Sequence, residues 1–345
     1  MDFLLAFAEH ARAFLVEQKS SKECPFLVRV RTELSDPHNR GRCVTLIESQ
    51  QLGTWFYKPR NGRREAAWFQ LLQALNDAGF DLPFLIPRVF TRRDHSWMEL
   101  VADAEPRSLH ERQALLSRVG ALLYLAHFFR AVDLHAGNFV LHLSQPVLVD
   151  CETLFHPETK LPPNVRVSEK SVARTGMLAP FGQTGGNPLL RLSPATNTLS
   201  DGRTPLLLHA GDSNIVTAGF AAMHNLLGGP RRKVHRITVA IEKLRQSRTR
   251  YVFRPTIFYD RIMHEALTPT RLRTEAGVSR FLRLCLTNGL CAPAIVRGEV
   301  RQLLNGDIPS FNGPPASARG RLRLSEFHQS LSCLRQALDF KDTQT

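Results

Sequence analysis

Residues 133–138 read Asp-Leu-His-Ala-Gly-Asn, and Asp150 follows an apolar run twelve residues after Asn138. Transfer of a phosphoryl group needs a carboxylate that positions the attacking hydroxyl, and oxygen ligands that hold Mg²⁺ against the phosphates. One loop and the hairpin after it can supply all of these groups. The stretch therefore predicts a site in which Asp133 is catalytic and Asn138 and Asp150 bind the metal.

The segments on either side of this stretch fit the same arrangement. Apolar residues recur on one face over 108–129, which predicts a long helix, and two short strands are predicted over 139–142 and 146–149. In protein kinases the Asp and Asn of the catalytic loop lie five residues apart, and the magnesium-binding Asp follows the next hairpin. Both spacings recur here, so the pattern favours a kinase-like ATP site.

The region before residue 102 predicts a small β-rich lobe. After an N-terminal helix, strands are predicted over 26–31, 43–48, 55–57, 88–91 and 96–101, with a helix over 65–76. Lys58 ends the third strand, where a kinase lobe holds the lysine that pairs with nucleotide phosphates. Glu65 in the next helix is the candidate ion-pair partner of Lys58. The alternative for Lys58 is a solvent-facing charge at a strand end.

Residues 97–101 lie where the hinge between the two lobes of a kinase belongs. We expect the backbone around Glu99 and Val101 to bind adenine, although any half-buried strand has a similar pattern. The chain contains neither a GxGxxG loop nor a Walker A motif, so the turn-rich stretch 35–41 is the candidate for a loop that covers the phosphates.

The remainder of the chain predicts a second, larger lobe. Residues 156–212 are rich in Pro, Gly, Ser, Thr and Asn and predict loops, and helices are predicted over 216–227, 234–246, 277–287 and 324–340. The expected fold class is α+β, a two-lobed protein/lipid-kinase-like fold. Residues 1–101 would form the N-terminal helix and N-lobe, and residues 102–345 the mainly helical C-lobe.

The charge balance suits anionic partners. The chain has 45 Lys and Arg against 31 Asp and Glu, a net charge of +14. Nucleotide phosphates or an acidic peptide fit this charge; arginine-rich codon usage with a solvated basic surface is the simpler alternative. The basic clusters at 60–64 and 231–233 are short and lack interleaved aromatics, so no nucleic-acid partner is expected.

Cysteine usage and the N-terminus predict the cellular setting. Six cysteines are scattered without a CxxC pair or zinc-ligand spacing, so we expect reduced thiols, no disulfide and no structural metal. Charged residues interrupt the apolar positions of the first eighteen residues, and a basic region before an apolar run is missing. These features predict a cytoplasmic protein without a transmembrane segment.

Several motifs in one order resemble the dehydratase domain of class II lanthipeptide (lantibiotic) synthetases. They are Ser-Asp-Pro-His-Asn-Arg-Gly-Arg at 35–42, Tyr-Lys-Pro-Arg at 57–60, the stretch 133–138, Pro-Val-Leu-Val-Asp-Cys-Glu-Thr-Leu-Phe at 146–155, Arg250 with Phe-Arg-Pro-Thr at 253–256, and Asp-Ile-Pro-Ser-Phe at 307–311. The resemblance implies a lipid-kinase-like fold, Mg-ATP, and a ribosomally made precursor peptide as the substrate. Such enzymes phosphorylate Ser and Thr and then eliminate the phosphate.

The resemblance also implies residue roles. Lys58, Asp133, His135, Asn138 and Asp150 match the phosphorylation set. Arg250 and Thr256, in a segment around 250–260, match the pair needed to eliminate phosphate, and Asp36 and His38 match an upstream pair. Arg is suited to a departing phosphate because its planar fork binds phosphate through two parallel hydrogen bonds. Taken alone, Arg250 can be a surface charge and Thr256 a turn or cap residue.

The chain departs from the family in length. Only 34 residues precede Ser35, and no zinc-dependent cyclase follows, so we expect a short form. A separate cyclase or an N-terminal synthetase subunit remains open as a partner.

Two other functions also remain open: a small-molecule or peptide phosphotransferase without elimination, and a degenerate, non-catalytic synthetase subunit. The segment from Arg250 to Thr256 argues against the former, and the intact Lys58, Asp133, Asn138 and Asp150 argue against the latter.

Overall fold

The computed structural model describes residues 2–18, 27–38, 41–50, 52–134, 136–157, 172–178, 211–229, 231–269, 274–287, 291–316, 330 and 334. These residues form an α+β protein. The chain divides by its contacts into two units that interleave in sequence. The first unit comprises Met1–Gly62, Arg88–Leu100 and Phe253–Phe311, and the second comprises Arg63–Pro87, Val101–Val252 and Asn312–Thr345. The predicted lobes, 1–101 and 102–345, stay a prediction.

A five-stranded antiparallel sheet lies in the first unit, with the strand order β1-β2-β3-β5-β4. The strands are β1 (Leu27–Arg31), β2 (Thr45–Ser49), β3 (Gly53–Lys58), β4 (Val89–Thr91) and β5 (Ser96–Glu99). Helix α1 (Asp2–Glu17) packs on this sheet because its apolar face carries Phe7 and Phe14, which contact Tyr57 and Trp97.

Three further helices build the other core of the first unit. They are α6 (Thr256–Ala266), α7 (Glu275–Leu286) and α8 (Pro293–Leu304). Tyr259, Leu282 and Val300 are among the residues buried between them. Of these three helices, the pattern of apolar residues in the sequence predicted only α7. Helix α8 begins at a proline. It also contains Gly298, where a Cβ atom would lie only 2.8 Å from the ring of Phe311, so the glycine leaves room for this ring.

The second unit is mainly helical. It contains α2 (Arg63–Asp77), α3 (Leu109–Phe128), α4 (Asp212–Leu227) and α5 (Arg231–Arg245), with the hairpin β6 (Phe139–His142) and β7 (Gln145–Leu148). β8 (Thr249–Tyr251) and β9 (Phe311–Gly313) form a two-stranded sheet. Helix α3 starts where the Ser108 hydroxyl accepts the backbone N–H of Glu111. Its C-terminal half is buried all round.

Helices α3 and α4 approach each other very closely, and two glycines make this possible. A Cβ on Gly120 would lie 1.9 Å from the carbonyl oxygen of Val216, and a Cβ on Gly219 would lie 1.9 Å from that of Ser117. Each glycine therefore faces the backbone of the opposite helix. Helix α3 then leads into the stretch 133–138.

The predicted strands 139–142 and 146–149 and the predicted helices 65–76 and 108–129 agree with the observed elements within a few residues. The predicted helix 324–340 lies outside the described residues apart from Ser330 and Leu334, and most of the predicted loop region 156–212 does too. Within that region, Val172–Thr175 forms a 3-10 turn. None of the described helices is both long and apolar enough to cross a membrane.

Candidate functional site

The loop after α3 holds Asp133 in an unusual backbone conformation. Its φ is +58°, a left-handed value that is uncommon for a non-glycine residue, although Asp adopts it more readily than most. The side-chain Nδ2 of Asn138 donates to the carbonyl oxygen of Asp133 at 2.8 Å and so closes the loop. The Asp133 side chain is exposed. His135 lies outside the described residues.

The hairpin is bonded directly to this loop. The backbone N–H of Val149 donates to the carbonyl oxygen of Asn138 at 2.8 Å, and the Thr153 hydroxyl donates to the carbonyl oxygen of Val132 at 2.5 Å. These bonds bring Asp133, Asn138 and the end of the hairpin into one hydrogen-bonded group. The predicted convergence of the loop and the hairpin is therefore present in the second unit.

Asp150 stands at the end of this hairpin, half-buried, and begins a turn. Its Oδ1 accepts the backbone N–H of Glu152 at 3.0 Å. The bond sets the direction of the carboxylate, because one of its oxygens is turned toward the following backbone.

The donor set of this group suits magnesium. Because Nδ2 of Asn138 is bound to Asp133, the amide oxygen of Asn138 points away from that bond. Amide and carboxylate oxygens are the protein ligands that Mg²⁺ takes. Asn138 and Asp150 are thus residues that can hold the ion, as the sequence predicts.

A second loop is hydrogen-bonded to Leu134, the residue after Asp133. The backbone N–H of Leu134 donates to the carbonyl oxygen of Thr175 at 2.9 Å. Gly176 follows with a φ of +84°, and a Cβ there would lie 2.9 Å from the backbone nitrogen of Leu134. Only glycine fits this position. Neither Thr175 nor Gly176 was anticipated from the sequence. The glycine itself was the local feature that could have indicated a tight turn here.

Arg250 lies beside the segment that follows Asp150. Its backbone N–H donates to the carbonyl oxygen of Glu152 at 2.8 Å, and its Nη1 lies 3.7 Å from Oε2 of Glu152. Both side chains are 19% exposed. Glu152 lies two residues after Asp150. The structure therefore brings Arg250 close to the segment that follows Asp150, although Arg250 and Asp150 are one hundred residues apart in the sequence.

Arg64 is the buried residue that connects the parts of this site. It donates from Nε to the carbonyl oxygen of Arg248 and from Nη1 to that of Leu154, at 3.1 and 3.0 Å. Its Nη2 donates to the carbonyl oxygen of Ser247 and to the Thr249 hydroxyl. One guanidinium thus joins the start of α2 to the chain after Asp150 and to β8. The sequence reasoning missed Arg64.

His156 fixes the other end of β8. Its Nε2 accepts the backbone N–H of Val252 at 3.1 Å, so the Nδ1 proton faces the carbonyl oxygen of Pro157 at 2.7 Å. Burial is the main reason that the pKa of His156 falls to about 4, since the charged ring would lose its hydration. His156 is therefore neutral at pH 7, and it too was missed.

Lys58 and Glu65 are both buried, Lys58 at the end of β3 in the first unit and Glu65 in the first turn of α2 in the second. Lys58 stands opposite Ser96 of β5. Burial excludes the alternative that Lys58 is a solvent-facing charge. Its pairing with Glu65 stays a prediction.

Glu99 has a structural partner. Its Oε1 accepts Nη2 of Arg88 at 2.9 Å, and this hydrogen bond is the main cause that lowers the pKa of Glu99. The backbone N–H of Glu99 donates to Arg88, and that of Leu100 to Thr54. An adenine contact at Glu99 would therefore use its backbone carbonyl rather than these groups. The adenine role of Glu99 and Val101 stays a prediction.

In the first unit, the stretch around Asp36 and His38 is bound to residues 307–308. Nδ1 of His38 lies 2.8 Å from the carbonyl oxygen of Ile308, whose backbone N–H donates to Pro37 at 3.0 Å. Oδ1 of Asp307 accepts the backbone N–H of Gly41 at 2.9 Å. Two of the motifs that carried the resemblance thus form one hydrogen-bonded group, with Asp36 exposed beside it.

Thr256 is the first residue of α6, and the cap position before it is Pro255. The preceding Arg254 is buried and donates to Oε1 of Glu299 at 2.9 Å and to the carbonyl oxygen of Leu286 at 2.6 Å. Tyr259 also donates to Oε1 of Glu299, at 2.7 Å. This buried network sets the start of α6 and hence the position of Thr256. Glu299 was not anticipated.

Comparison with known proteins defines the class of this chain. It belongs to the family described as a domain of unknown function, DUF4135, whose model matches residues 2–197 and 212–313. The chain is also similar to the lacticin 481/lactococcin biosynthesis protein LcnDR2 of Lactococcus lactis subsp. lactis, with 24% identity over 196 residues. That match covers 51% of this chain and 21% of the relative, so the chain corresponds to a minor part of the longer protein.

Proposed function

We propose that this chain takes part in lanthipeptide modification as a dehydratase. It would phosphorylate Ser and Thr residues of a ribosomal precursor peptide with Mg-ATP, and then eliminate phosphate to give dehydroalanine or dehydrobutyrine. The family membership and the similarity to a lacticin 481/lactococcin biosynthesis protein support the pathway. The dehydratase chemistry, the cofactor and a two-lobed kinase-like fold are part of the proposal.

One observation carries it: the hydrogen-bonded group that joins Asp133, Asn138 and the hairpin before Asp150. In the first half-reaction, Asp133 would orient the peptide hydroxyl toward the γ-phosphorus of ATP, and Asn138 and Asp150 would hold the magnesium. The peptide oxygen forms a bond to phosphorus, ADP leaves, and the hydroxyl proton passes to the carboxylate. Lys58 would neutralise the nucleotide phosphates.

In the second half-reaction the α-proton of the phosphorylated residue would pass to solvent while the Cβ–O bond breaks, so that a C=C bond forms and phosphate departs. Arg250 is the group suited to the departing dianion. Glu152 holds its guanidinium, while the backbone bond between the two residues fixes the strand. A guanidinium that leaves this carboxylate can bind a phosphate through two parallel hydrogen bonds.

The test is mass spectrometry of a precursor peptide, encoded next to this gene, after incubation with the purified chain, ATP and Mg²⁺. Loss of one water per modified residue is expected. Gain of a phosphoryl group without any loss of water would indicate a phosphotransferase. An unchanged peptide, with the chain folded and ATP present, would indicate a non-catalytic component and overturn the proposal.

A further inference from the structure

Two histidines and one aspartate meet in the first unit, and none of the three has been assigned a role above. His10 lies on α1, and Asp94 and His95 form the turn between β4 and β5. One possible ligand atom from each lies within 4.8 Å of the others. Nδ1 of His95 is 2.9 Å from Oδ1 of Asp94, and Nε2 of His10 is 4.0 Å from Oδ2 of Asp94.

We propose that His10, Asp94 and His95 form a binding site for a divalent transition-metal ion, and that Zn²⁺ is its occupant. Two imidazole nitrogens and one carboxylate oxygen are a donor set that zinc accepts, with one position left for water. Mg²⁺ prefers oxygen ligands and fits this set poorly. The site is independent of the magnesium ligands proposed for catalysis, which belong to the second unit.

The ligand atoms must move closer together when the ion binds. Zinc lies about 2.0–2.2 Å from nitrogen and oxygen ligands, so ligand atoms around it are roughly 3.5 Å apart. The separation of 4.0 Å between His10 and Asp94 closes if the carboxylate rotates. Asp94 is free to do so, because its side chain is 61% exposed. The metal would replace the proton shared by Asp94 and His95.

The other ring nitrogen of His10 has a hydrogen-bond partner in the structure. Nδ1 of His10 lies 3.0 Å from the hydroxyl of the buried Tyr57, so Nε2 is the nitrogen that faces Asp94. Metal-binding histidines generally use their other ring nitrogen in a hydrogen bond of this kind, which orients the ring. The backbone N–H of Arg92 donates to the carbonyl oxygen of His95 at 2.8 Å and holds the turn.

The frame around the site is rigid. The ring of Phe14 stacks on Trp97 at 4.5 Å, and Phe7 packs edge-on against Tyr57 at 5.2 Å. The rings of His10 and His95 are themselves stacked, 3.7 Å apart and 12° from parallel. Because an ion lies near the plane of each imidazole that binds it, one of the two rings must turn out of this stack when the ion binds. A bound ion would join α1 to the turn between β4 and β5.

Charged groups of both signs lie near the site. Glu9 and Arg42 both act on His10, with opposite signs, and Arg92 is paired with Glu17 at the end of α1. The carboxylate of Asp94 is the anionic ligand of the proposed site. The scattered cysteines, which were the basis for expecting no structural metal, do not enter this site.

The test is isothermal titration of the metal-free chain with Zn²⁺, followed by thermal unfolding with and without the ion. Wild type should bind one zinc per chain, and zinc should raise the midpoint of unfolding because it binds only the folded state. Asp94→Asn and His10→Gln should each weaken binding on the order of a hundredfold. Tyr57→Phe should weaken binding roughly ten- to hundredfold by releasing the ring of His10.

The matched control is His264→Gln. Nε2 of His264 lies 3.6 Å from Oδ1 of Asp260 on the exposed face of α6, and among the described residues no third metal ligand joins this histidine–carboxylate pair. This variant should bind zinc like wild type. Asp94→Asn alters an exposed side chain, so circular dichroism should show an intact fold. Absence of saturable binding at micromolar zinc, or equal affinity in wild type and Asp94→Asn, would overturn the proposal without bearing on dehydratase activity.

Discussion

The side-chain amide of Asn138 donates to the backbone carbonyl of Asp133, and this bond closes the loop that holds Asp133 at a φ of +58°. In the proposed site Asn138 would therefore have two functions. It would offer its amide oxygen to the metal, and it closes the loop on which the proposed catalytic carboxylate of Asp133 lies. The residue would thus couple the shape of the loop to metal binding.

Asp150→Asn should abolish phosphate transfer and leave the fold intact. The amide oxygen can still accept the backbone N–H of Glu152, while the metal loses an anionic ligand. Transfer is measured as ADP formation that depends on the peptide, and the fold by circular dichroism. ATP turnover near the wild-type rate would contradict the role given to Asp150.

Arg250→Ala should separate the two half-reactions, so that phosphorylated peptide accumulates. The backbone bond to Glu152 does not depend on the side chain, and Asn138 and Asp150 are unchanged. Loss of a charge-assisted contact to the leaving phosphate costs on the order of 3 kcal/mol, about a hundredfold in rate. The elimination step is measured with a chemically phosphorylated peptide, ADP and Mg²⁺. Equal elimination rates in wild type and variant would refute the assignment.

Arg64→Lys should lower the free energy of unfolding by about 2–4 kcal/mol, because a lysine cannot serve the four acceptors that the guanidinium binds. The exposed neighbour Arg63 provides the control: Arg63→Lys should stay within roughly 0.5 kcal/mol of wild type. Urea unfolding measures both. Similar losses in the two variants would show that Arg64 has no special structural role.

Protonation of His156 should make the protein less stable in acid. Its pKa is about 4 in the folded chain and ordinarily 6.5, so between these values the unfolded chain binds more protons. The stabilising effect of the neutral ring is complete above pH 6.5 and declines as the pH falls toward 4, by about 3 kcal/mol in total. His156→Gln should flatten this part of the stability profile. An unchanged pH dependence in the variant would exclude His156 as its source.

Gly219→Ala should destabilise the protein although alanine favours helices by about 1 kcal/mol over glycine. The added Cβ would lie 1.9 Å from the carbonyl oxygen of Ser117, and backbone cannot move aside like a flexible side chain. We expect a net loss on the order of 3 kcal/mol. Asn214→Ala on the exposed side of α4 is the control and should change stability little. A Gly219→Ala protein as stable as wild type would contradict the close approach of α3 and α4.

Local features of the sequence determined much of the secondary structure. Periodic apolar residues predicted α2, α3 and the sheet strands, since burial on one face imposes a period that can be counted along the chain. The spacing of Asp133, Asn138 and Asp150 likewise identified a group that the fold brings together, because a loop and its adjoining hairpin are close in sequence as well as in space.

Only the tertiary structure decided the remaining contacts. Arg64, Glu299 and His156 are polar residues that a sequence alone would place on the surface, and their burial depends on acceptors or donors far along the chain. His10 and Asp94 are separated by more than eighty residues and meet because α1 packs on the sheet. Such contacts depend on how elements pack, and no local periodicity or spacing encodes them.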